Sequence, residues 1–400
     1  MRVTMLSKAL VMGAYQRKCE LIAAHPDIEL TVLVPPAWGG QPLQRAHTAG
    51  YDLREIPIRF SNSFHLHYYP TLKDELAKSK PDVFHIDEEP YNLATWLAMG
   101  LRATHLKRFR SPASHRSPAS HIASLFFSWQ NIKRSYPPPF SWMERAVLRQ
   151  ADAAIVGNSE AEQVWRAKGF SKPIHVIPQF GVDECAFSPN RKSKIENRKF
   201  TIGYFGRLVK EKGVAYLIEA LPNLPEARLL VVGEGPLRQV LQQFAESLEV
   251  SDRVEFRPQA PSTQMPLLYG ELDVLVLPSL TQRNWKEQFG RVLIEAMACG
   301  VPVVGSSCGE IPNVIGDAGL VFPEGDGEAL LQQIQQIQQI QQIQQIQQIQ
   351  QIQQHHQHHQ HPALRDELAQ RGRERVLQHF TMQRVADATV GVYRQLAINK

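Results

Sequence analysis

Short runs of β-branched and aliphatic residues, bounded by Gly, Pro or Asp, alternate in the first half of the chain with stretches of helical periodicity. Each run predicts a buried strand, and the alternation of strands with helices predicts a parallel sheet wrapped by helices. The predicted strands of this half are Arg2–Leu6, Leu30–Val34, Asp82–Ile86, Ile122–Phe127, Ala153–Val156 and His175–Pro178.

The same rhythm restarts after the polar stretch Asn190–Lys199. The pattern therefore predicts an α/β protein with two Rossmann-like domains, residues 1–190 and 200–380. Because parallel sheets bind ligands beyond the carboxyl ends of their strands, two facing domains imply a cleft between them. The predicted strands of the second half are Thr201–Phe205, Arg228–Val232, Val254–Arg257, Asp273–Leu277, Pro302–Gly305 and Gly319–Phe322.

Two repeats interrupt this pattern. The hexapeptide RSPASH occurs twice in tandem over residues 110–121 and indicates a duplicated surface loop. A run of Gln-Gln-Ile triplets, Gln332–Gln354, leads into the His/Gln cluster His355–His361 and makes residues 332–361 a low-complexity insert. A step of three residues advances about 300° around a helix, so the isoleucines precess around its axis. We therefore expect a protruding helix or a disordered, self-associating insert, not a core element.

The five histidines of that cluster raise the alternative of a metal site. No acidic or Cys partner fixes a coordination geometry around them, so we favour the expansion of a tolerated loop.

Composition narrows the class of protein. The 400 residues are 43% hydrophobic and 21% charged, as in a globular protein, and the net charge of +5 suits an anionic small ligand or a membrane surface. No zinc-finger spacing, RNP-like motif or long basic block supports nucleic-acid binding. The four cysteines form no C-x2-C pair, and no signal peptide or membrane span is apparent. We expect a cytoplasmic protein, with peripheral contact at the inner face of the cytoplasmic membrane as an open alternative.

Two glycine-bounded turns follow predicted strands of the second half. In Gly203–Gly213 (GYFGRLVKEKG), Arg207 and Lys212 precede a helix N-terminus, a combination that suits a diphosphate. The alternative is an ordinary helix start with solvated basic residues. The turn is neither a Walker loop nor G-x-G-x-x-G. Val231–Leu237 (VVGEGPL) lacks the third glycine of a dinucleotide fingerprint and predicts a tight connection.

Two carboxylates stand out between Pro278 and Val304. Glu287 precedes a predicted helix that begins near Gly290, and Glu295 lies in its early turns. Carboxylates at the ligand-binding end of a sheet accept hydrogen bonds from sugar hydroxyls. Taken alone, a Glu at the position of Glu287 is more often a solvated loop charge, whereas Glu295 needs a polar partner in an otherwise apolar helix.

A family resemblance rests on these residues. Glu287 and Glu295 form an E-x7-E motif, and the surrounding EQFGRVLIEAMACGVPVVGSSCGEIP is similar to the signature of the retaining, GT-B-fold glycosyltransferases of the group 1 or family-4 type. GYFGRLVKEKG resembles the diphosphate-binding turn of that family. With PDVFHIDEEP and VIPQFGVDECAF, the resemblance extends through nearly the whole chain outside the two repeats.

The resemblance implies a function for each motif. Arg207 and Lys212 would hold the donor diphosphate, and Glu295 would bind the ribose. Glu287, as the catalytic carboxylate, would hold the donor sugar with the backbone of Phe289 and Gly290, while the loop that carries Gln259 and Ala260 would lie against the base. Such enzymes retain the anomeric configuration and use no metal or other cofactor. The last helix, within residues 382–400, would pack back on the first domain.

The N-terminal half departs from the commonest family pattern. A His that many relatives carry after the strand Ile122–Phe127 is absent, and the first loop has a single glycine instead of Gly-Gly. The alternative for the polar residues at these places is ordinary loop and sheet-edge structure. The acceptor-side candidates are Gly13, Asp87, Glu88, Glu89, Trp129, Gln130 and Asn131.

The expected activity is transfer of a sugar from a nucleotide-diphosphate sugar to a saccharide, a lipid-linked saccharide or a small-molecule acceptor, in polysaccharide biosynthesis. The base, the sugar and the acceptor stay open. A nucleotide-sugar epimerase on the same fold and a catalytically degenerate nucleotide-sugar-binding protein are the alternatives. Intact Arg207, Lys212, Glu287 and Glu295 argue against degeneration.

Overall fold

The computed structural model describes residues 1–108, 122–189, 199–338 and 364–398. The tandem RSPASH copies, most of the polar linker, the later Gln-Gln-Ile triplets and the His/Gln cluster lie outside these ranges. No helix in the described ranges is both long enough and apolar enough to cross a bilayer. All four cysteines are free thiols.

The chain divides into two compact units, Met1–Gly181 with Met382–Lys400, and Val182–Thr381. The sequence-based assignment of residues 182–190 to the first domain is wrong for the described part of that stretch. Val182 pairs with Thr381, and its N–H donates to the Phe380 carbonyl at 2.8 Å. The Arg373 guanidinium also donates to the Phe187 carbonyl at 2.7 Å, which fixes this segment to the second unit.

The first unit is built on a seven-stranded parallel sheet in the order β5-β2-β1-β6-β7-β8-β9. Successive side chains of a strand point to opposite faces, so Val3 and Met5 join one core cluster and Leu6 joins the other. The sequence analysis missed the edge strand β5 and a small β3-β4 hairpin. The strands are β1 Arg2–Leu6, β2 Glu29–Val34, β3 Ala37–Trp38, β4 Gln41–Pro42, β5 Asp52–Glu55, β6 Val83–Ile86, β7 Ala123–Ser128, β8 Ala153–Val156 and β9 Ile174–Val176.

Helices cover both faces of this sheet. They are α1 Arg17–Ala23, α2 Leu72–Ser79, α3 Leu93–Arg108, α4 Phe140–Gln150, α5 Ser159–Ala167 and the C-terminal α13 Met382–Ile398. Helix α13 packs on α1, and Val385, Val390 and Tyr393 enter the same core cluster as Val3. The Tyr393 hydroxyl lies 2.7 Å from Nδ1 of His85, and burial lowers the pKa of that imidazole to about 3, so the contact is a neutral hydrogen bond.

The second unit has a six-stranded parallel sheet in the order β12-β11-β10-β13-β14-β15. Its strands are β10 Phe200–Phe205, β11 Ala227–Val232, β12 Val254–Arg257, β13 Val274–Leu277, β14 Val303–Ser306 and β15 Leu320–Phe322. Its helices are α6 Val214–Ala220, α7 Arg238–Ser247, α8 Met265–Tyr269, α9 Arg291–Ala298, α10 Ile311–Ile315, α11 at 327–338 and α12 Leu364–His379. The predicted strands of both halves are present, within a few residues at their ends.

The start of the Gln-Gln-Ile run corrects the expectation that the insert lies outside the core. Within α11, Leu330, Ile334 and Ile337 are fully buried. Side chains three or four residues apart lie on the same helix face, so the first two triplets continue the apolar stripe that Leu330 begins. The rotation of successive isoleucines around the helix axis is too small over two triplets to move them off this apolar face.

Candidate active site

The second sheet reverses its strand order at β10, which lies between β11 and β13. In open α/β sheets, ligands bind beyond the carboxyl ends of the strands at such a switch point. The loop after β10 carries Arg207 and Lys212, and the loop after β13 carries Glu287. The topology therefore brings the two predicted donor motifs to the place where this fold binds ligands.

Backbone contacts hold these two loops together. The Leu280 N–H donates to the Glu211 carbonyl at 2.8 Å. Gly213, with a φ of +64°, caps α6, and a Cβ at this position would lie 2.1 Å from the Pro278 carbonyl oxygen. Only glycine fits both this left-handed backbone and this close approach. The third loop, after β14, joins them because the Glu310 N–H donates to the Glu287 carbonyl at 3.1 Å.

Lys212 and Glu287 form an ion pair at the centre of these loops. The Lys212 Nζ lies 2.5 Å from Oε2 of Glu287, and the Ser279 hydroxyl donates to the same oxygen at 2.9 Å. The Lys212 ammonium also lies 4.8 Å from the centre of the Trp285 ring. Their side chains are only 14% and 10% exposed. The alternative of a solvated loop charge at Glu287 is therefore wrong, because this carboxylate is buried and paired.

Arg207 differs from Lys212 in its surroundings. Its side chain is 64% exposed, and its guanidinium lies 3.7 Å from the Glu211 carboxylate. An exposed ion pair of this kind contributes little to the free energy of unfolding. The guanidinium therefore loses little free energy when it leaves Glu211 and turns toward a ligand.

Glu295 has the polar partners that its apolar helix requires. Its Oε1 lies 2.7 Å from Nε of Arg291, one turn earlier in α9, and its Oε2 accepts a hydrogen bond from the Tyr269 hydroxyl at 2.8 Å. Burial raises the pKa of Tyr269 well above its ordinary value, so the phenol remains a donor. These contacts hold the Glu295 side chain in one orientation.

The remaining predicted donor residues lie at the same edge of the sheet. Gly290 is the N-cap of α9 in a left-handed conformation, and Phe289 is buried with its ring 5.7 Å from that of Phe380. Gln259 and Ala260 follow β12, the former exposed and the latter half-buried. The predicted tight connection after β11 is also present, because a Cβ on Gly233 would lie 1.9 Å from the Gly206 carbonyl oxygen.

In the first unit the strand order reverses at β1, and the three carboxylates Asp87, Glu88 and Glu89 follow its neighbour β6. All three are buried. Asp87 accepts hydrogen bonds from the Ser7 hydroxyl at 2.6 Å and from the Gln179 amide at 3.0 Å. A buried cluster of this kind requires neighbouring donors, and the strand ends supply them.

Glu88 is the centre of a second buried ion pair. Its carboxylate contacts the Lys8 ammonium, accepts from the Tyr69 hydroxyl at 3.1 Å and lies 3.3 Å from Nε2 of His67. Burial lowers the pKa of Lys8 to about 7 and that of His67 to about 3, so this imidazole is neutral at neutral pH. The ring of Trp38 lies 5.1 Å from the Lys8 ammonium.

Glu89 links the ends of β6 and β7. The Ser128 hydroxyl and the Trp129 N–H donate to its two oxygens at 2.6 and 2.8 Å. Burial nevertheless raises the pKa of Glu89 to about 7, against the lowering effect of those hydrogen bonds. The Trp129 indole N–H donates to Gln179 at 2.9 Å, which joins Trp129 to the Asp87 contacts.

The other acceptor-side candidates divide into two groups. Gln130 is buried beside this cluster, where its amide donates to the Ile132 carbonyl at 3.0 Å, and Asn131 donates to Glu160 at 3.1 Å. Gly13 lies in the connection between β1 and α1, where its N–H donates to Gln44 at 2.9 Å. The structure thus brings Asp87, Glu88, Glu89, Trp129, Gln130 and Asn131 to adjacent strand ends and places Gly13 in a separate turn.

The sequence analysis missed several residues of these clusters. Lys8 is the second residue after β1, so its place close to a strand end was a usable signal. Asn92 is fully buried, and neither polar atom of its amide has a hydrogen-bond partner among the residues that the structure describes. The other missed residues are recognised only by contacts between distant parts of the chain, which leave no local signal in the sequence. They are His67, Tyr69, Gln179, Tyr269, Ser279 and Trp285.

Comparison with known proteins identifies the family of each unit. Residues 188–354 match the family described as "Glycosyl transferases group 1", and residues 17–179 match the "Glycosyl transferase 4-like domain". The chain is 31% identical over 195 residues to the D-inositol 3-phosphate glycosyltransferase of Mycobacteroides abscessus, a match that covers 45% of this chain and 43% of that protein. It is 27% identical over 276 residues to sulfoquinovosyl transferase SQD2 of Arabidopsis thaliana, covering 65% and 50%. The chain thus spans about half the length of these relatives or less.

Solved structures show the fold. Sucrose-phosphate synthase from Thermosynechococcus elongatus superimposes with a TM-score of 0.70 at 21% identity and full coverage of both chains. Anabaena HepE, solved in complex with UDP and glucose, gives a TM-score of 0.67 at 17% identity and covers 99% of this chain and all of that one. With one family match on each unit and this fold, the chain belongs to the group 1 glycosyltransferases and has the GT-B architecture of two Rossmann-like domains.

Proposed function

We propose that this chain transfers a hexosyl group from a nucleoside-diphosphate sugar to a hydroxyl acceptor with retention of the anomeric configuration. The observation that carries the proposal is the buried Lys212–Glu287 pair at the switch point of the second sheet. One relative is named as GDP-mannose-dependent, and HepE was solved with UDP, so both bases are candidates for the donor.

The second unit offers the groups that donor cleavage needs. As the bond between the anomeric carbon and the diphosphate oxygen breaks, negative charge grows on the leaving group and positive charge on the sugar. Lys212 and Arg207 supply cationic donors for the diphosphate, and the α9 N-terminus adds a favourable dipole. Glu287 is fixed beside Lys212, where a carboxylate stabilises the sugar more strongly in the transition state than in the ground state.

Donor binding also changes the partner of Lys212. The Lys212 ammonium neutralises Glu287. We propose that the diphosphate draws Lys212 toward itself, while Ser279 continues to donate to Glu287. The carboxylate then becomes available to the sugar hydroxyls. Glu295, held by Tyr269 and Arg291, would accept hydrogen bonds from the ribose.

The first unit is the proposed acceptor side. Its strand-end cluster combines buried carboxylates, the amides of Asn92 and Gln130, and the ring of Trp129, a mixture suited to a polyol. This supports a saccharide, a lipid-linked saccharide or a small alcohol as acceptor. We propose polysaccharide biosynthesis at the cytoplasmic side of a membrane as the setting.

A thermal-shift screen of UDP-, GDP- and ADP-sugars tests the donor site, because a ligand that binds the folded state raises its melting temperature. We expect one base to stand out. Lys212→Ala should weaken that donor by about 10- to 150-fold, from loss of a charge-assisted contact. Lys210→Ala is the matched control, since Lys210 is exposed in the same short turn. Equal donor affinity in folded Lys212→Ala and Lys210→Ala proteins would remove Lys212 from the site.

The reaction itself is tested with the active donor. NMR of the product should show the donor's anomeric configuration, and EDTA should leave the rate unchanged if no metal takes part. Release of an altered nucleotide sugar without an acceptor would identify an epimerase instead. Donor binding without turnover on any acceptor class would favour a degenerate binding protein.

A further inference from the structure

Every exposed Trp and Phe side chain in the described part of the chain lies in one region of the first unit. Phe60 and Phe64 belong to the loop before α2, whereas Trp96 and Trp142 lie in the first turns of α3 and α4. Leu66 in the same loop is also exposed. Elsewhere in the described residues, the exposed large apolar side chains are aliphatic: Val176, Val240, Leu267, Val321, Leu377 and Ile398.

Local contacts bring the three segments together at His65. The Leu93 N–H, at the start of α3, donates to the His65 carbonyl at 2.9 Å. The His65 ring lies 5.4 Å from the ring of Phe140, the first residue of α4, and 5.5 Å from that of Tyr91. The exposed aromatic residues therefore project from segments that pack against one another. We call Phe60, Phe64, Leu66, Trp96 and Trp142 the aromatic face.

The charge around the aromatic face is mainly basic, with the exposed Asp74 and the buried Glu144, which pairs with Lys168, at its margins. Residues 56–73, 90–108 and 128–143 contain no Asp or Glu. The exposed basic side chains in or next to these segments are Arg59, Lys133, Arg134 and Arg145. An exposed apolar surface with a basic rim complements an anionic, partly apolar partner.

We propose that the aromatic face docks on a bilayer that contains anionic phospholipid. Trp and Phe favour the headgroup region of a membrane, and nearby Lys and Arg add attraction to anionic lipid. The Phe64 ring also lies 4.8 Å from the Lys8 ammonium, so docking would bring the acceptor-side cluster of the first unit to the lipid surface. The inference itself does not rest on the proposed reaction, because vesicle binding is measured without a donor or an acceptor.

Cosedimentation of the full chain with phosphatidylcholine vesicles, with and without phosphatidylglycerol, tests the proposal. We expect binding only to the anionic vesicles, weakened by added salt. Phe60→Ser with Trp142→Ser should lower vesicle affinity at least about tenfold, because it removes the two most exposed rings. The matched control is Val240→Ser with Leu267→Ser, a pair of similar exposure in the second unit, which should bind as the wild type does.

A charge variant keeps the proposal testable if the aromatic variant fails to fold. Lys133→Glu with Arg145→Glu alters exposed residues only and should also weaken binding to anionic vesicles. Absence of wild-type binding to anionic vesicles would overturn the proposal. So would an aromatic variant that binds normally, or a control pair that loses as much affinity as the aromatic pair.

Discussion

The Lys212–Glu287 pair should stabilise the second unit as well as serve the donor. Lys212→Met keeps the length of the side chain against Trp285 but removes the ammonium, which leaves the Glu287 carboxylate buried with Ser279. Removing one partner of a buried ion pair lowers the free energy of unfolding by roughly 3–5 kcal/mol. Because both side chains of this pair are partly exposed, we expect a loss of about 3 kcal/mol. For a unit of the size of Val182–Thr381, which has about 200 residues, that corresponds to a fall in melting temperature of roughly 6–12 °C.

A double-mutant cycle separates charge from packing. Glu287→Gln alone should cost about 1–2 kcal/mol, because the amide keeps the shape but loses the charge-assisted contact. The double variant, Lys212→Met with Glu287→Gln, leaves no uncompensated buried charge. We therefore expect it to be more stable than Lys212→Met alone, with a coupling of about 2 kcal/mol.

Calorimetry on the wild type, both single variants and the double variant gives these values. Lys210→Met is the control for loss of a lysine from the same turn and should stay within about 0.5 kcal/mol of the wild type. The reasoning is refuted if the double variant loses the sum of the single losses, because the two side chains would then act independently.

Three further predictions concern other parts of the chain. Glu287→Gln should lower kcat for transfer, whereas Glu295→Gln should chiefly raise the donor KM. Steady-state kinetics with the active donor would contradict these separate roles if both variants changed the same constant. Ile337→Ala should cost about 2–5 kcal/mol because Ile337 is fully buried, while Gln336→Ala, at an exposed position, should cost under about 0.5 kcal/mol in the same denaturant titration. Burial raises the pKa of Glu89 from 4.5 to about 7. Between these two values the folded protein keeps a proton on Glu89 that the unfolded chain releases. The free energy of unfolding should therefore fall as the pH rises from about 4.5 to about 7. Glu89→Gln should flatten this fall, and melts from pH 4 to 8 that show the same slope in both proteins would contradict the assignment.

Strand positions and strand ends were predictable because their signal is local. Buried parallel strands such as Val274–Leu277 appear as continuous apolar runs, and sheet topology then determines which loops share an edge. The sequence thus led to Lys212, Glu287 and Glu295 as one group. It did not show that Lys212 pairs with Glu287, because that contact joins residues 75 positions apart.

The errors have physical causes as well. The edge strand Asp52–Glu55 has one apolar residue, Leu53, among three charged ones and lacks the continuous apolar run of its neighbours. The domain boundary was placed by composition, whereas Val182 is held by a backbone pairing with Thr381 that no local pattern shows. The prediction that the triplet repeat lies outside the core considered the whole repeat. Ile334 and Ile337 are nevertheless buried, because they belong to its first two triplets and continue the apolar stripe of α11.

The two units use the same arrangement at their switch points. In the second unit a Lys after the central strand β10 pairs with a Glu after β13, and a hydroxyl and an aromatic ring complete the contact. In the first unit Lys8 after β1 pairs with Glu88 after β6, with the Tyr69 hydroxyl and the Trp38 ring in the corresponding roles. Each pair neutralises two charges that would be costly to bury singly. We propose that a ligand that brings its own charge or hydroxyl groups replaces one partner of each pair when it binds. This parallel supports our proposal that the acceptor binds at the cluster around Lys8 and Glu88, and not at Gly13, whose N–H donates to Gln44.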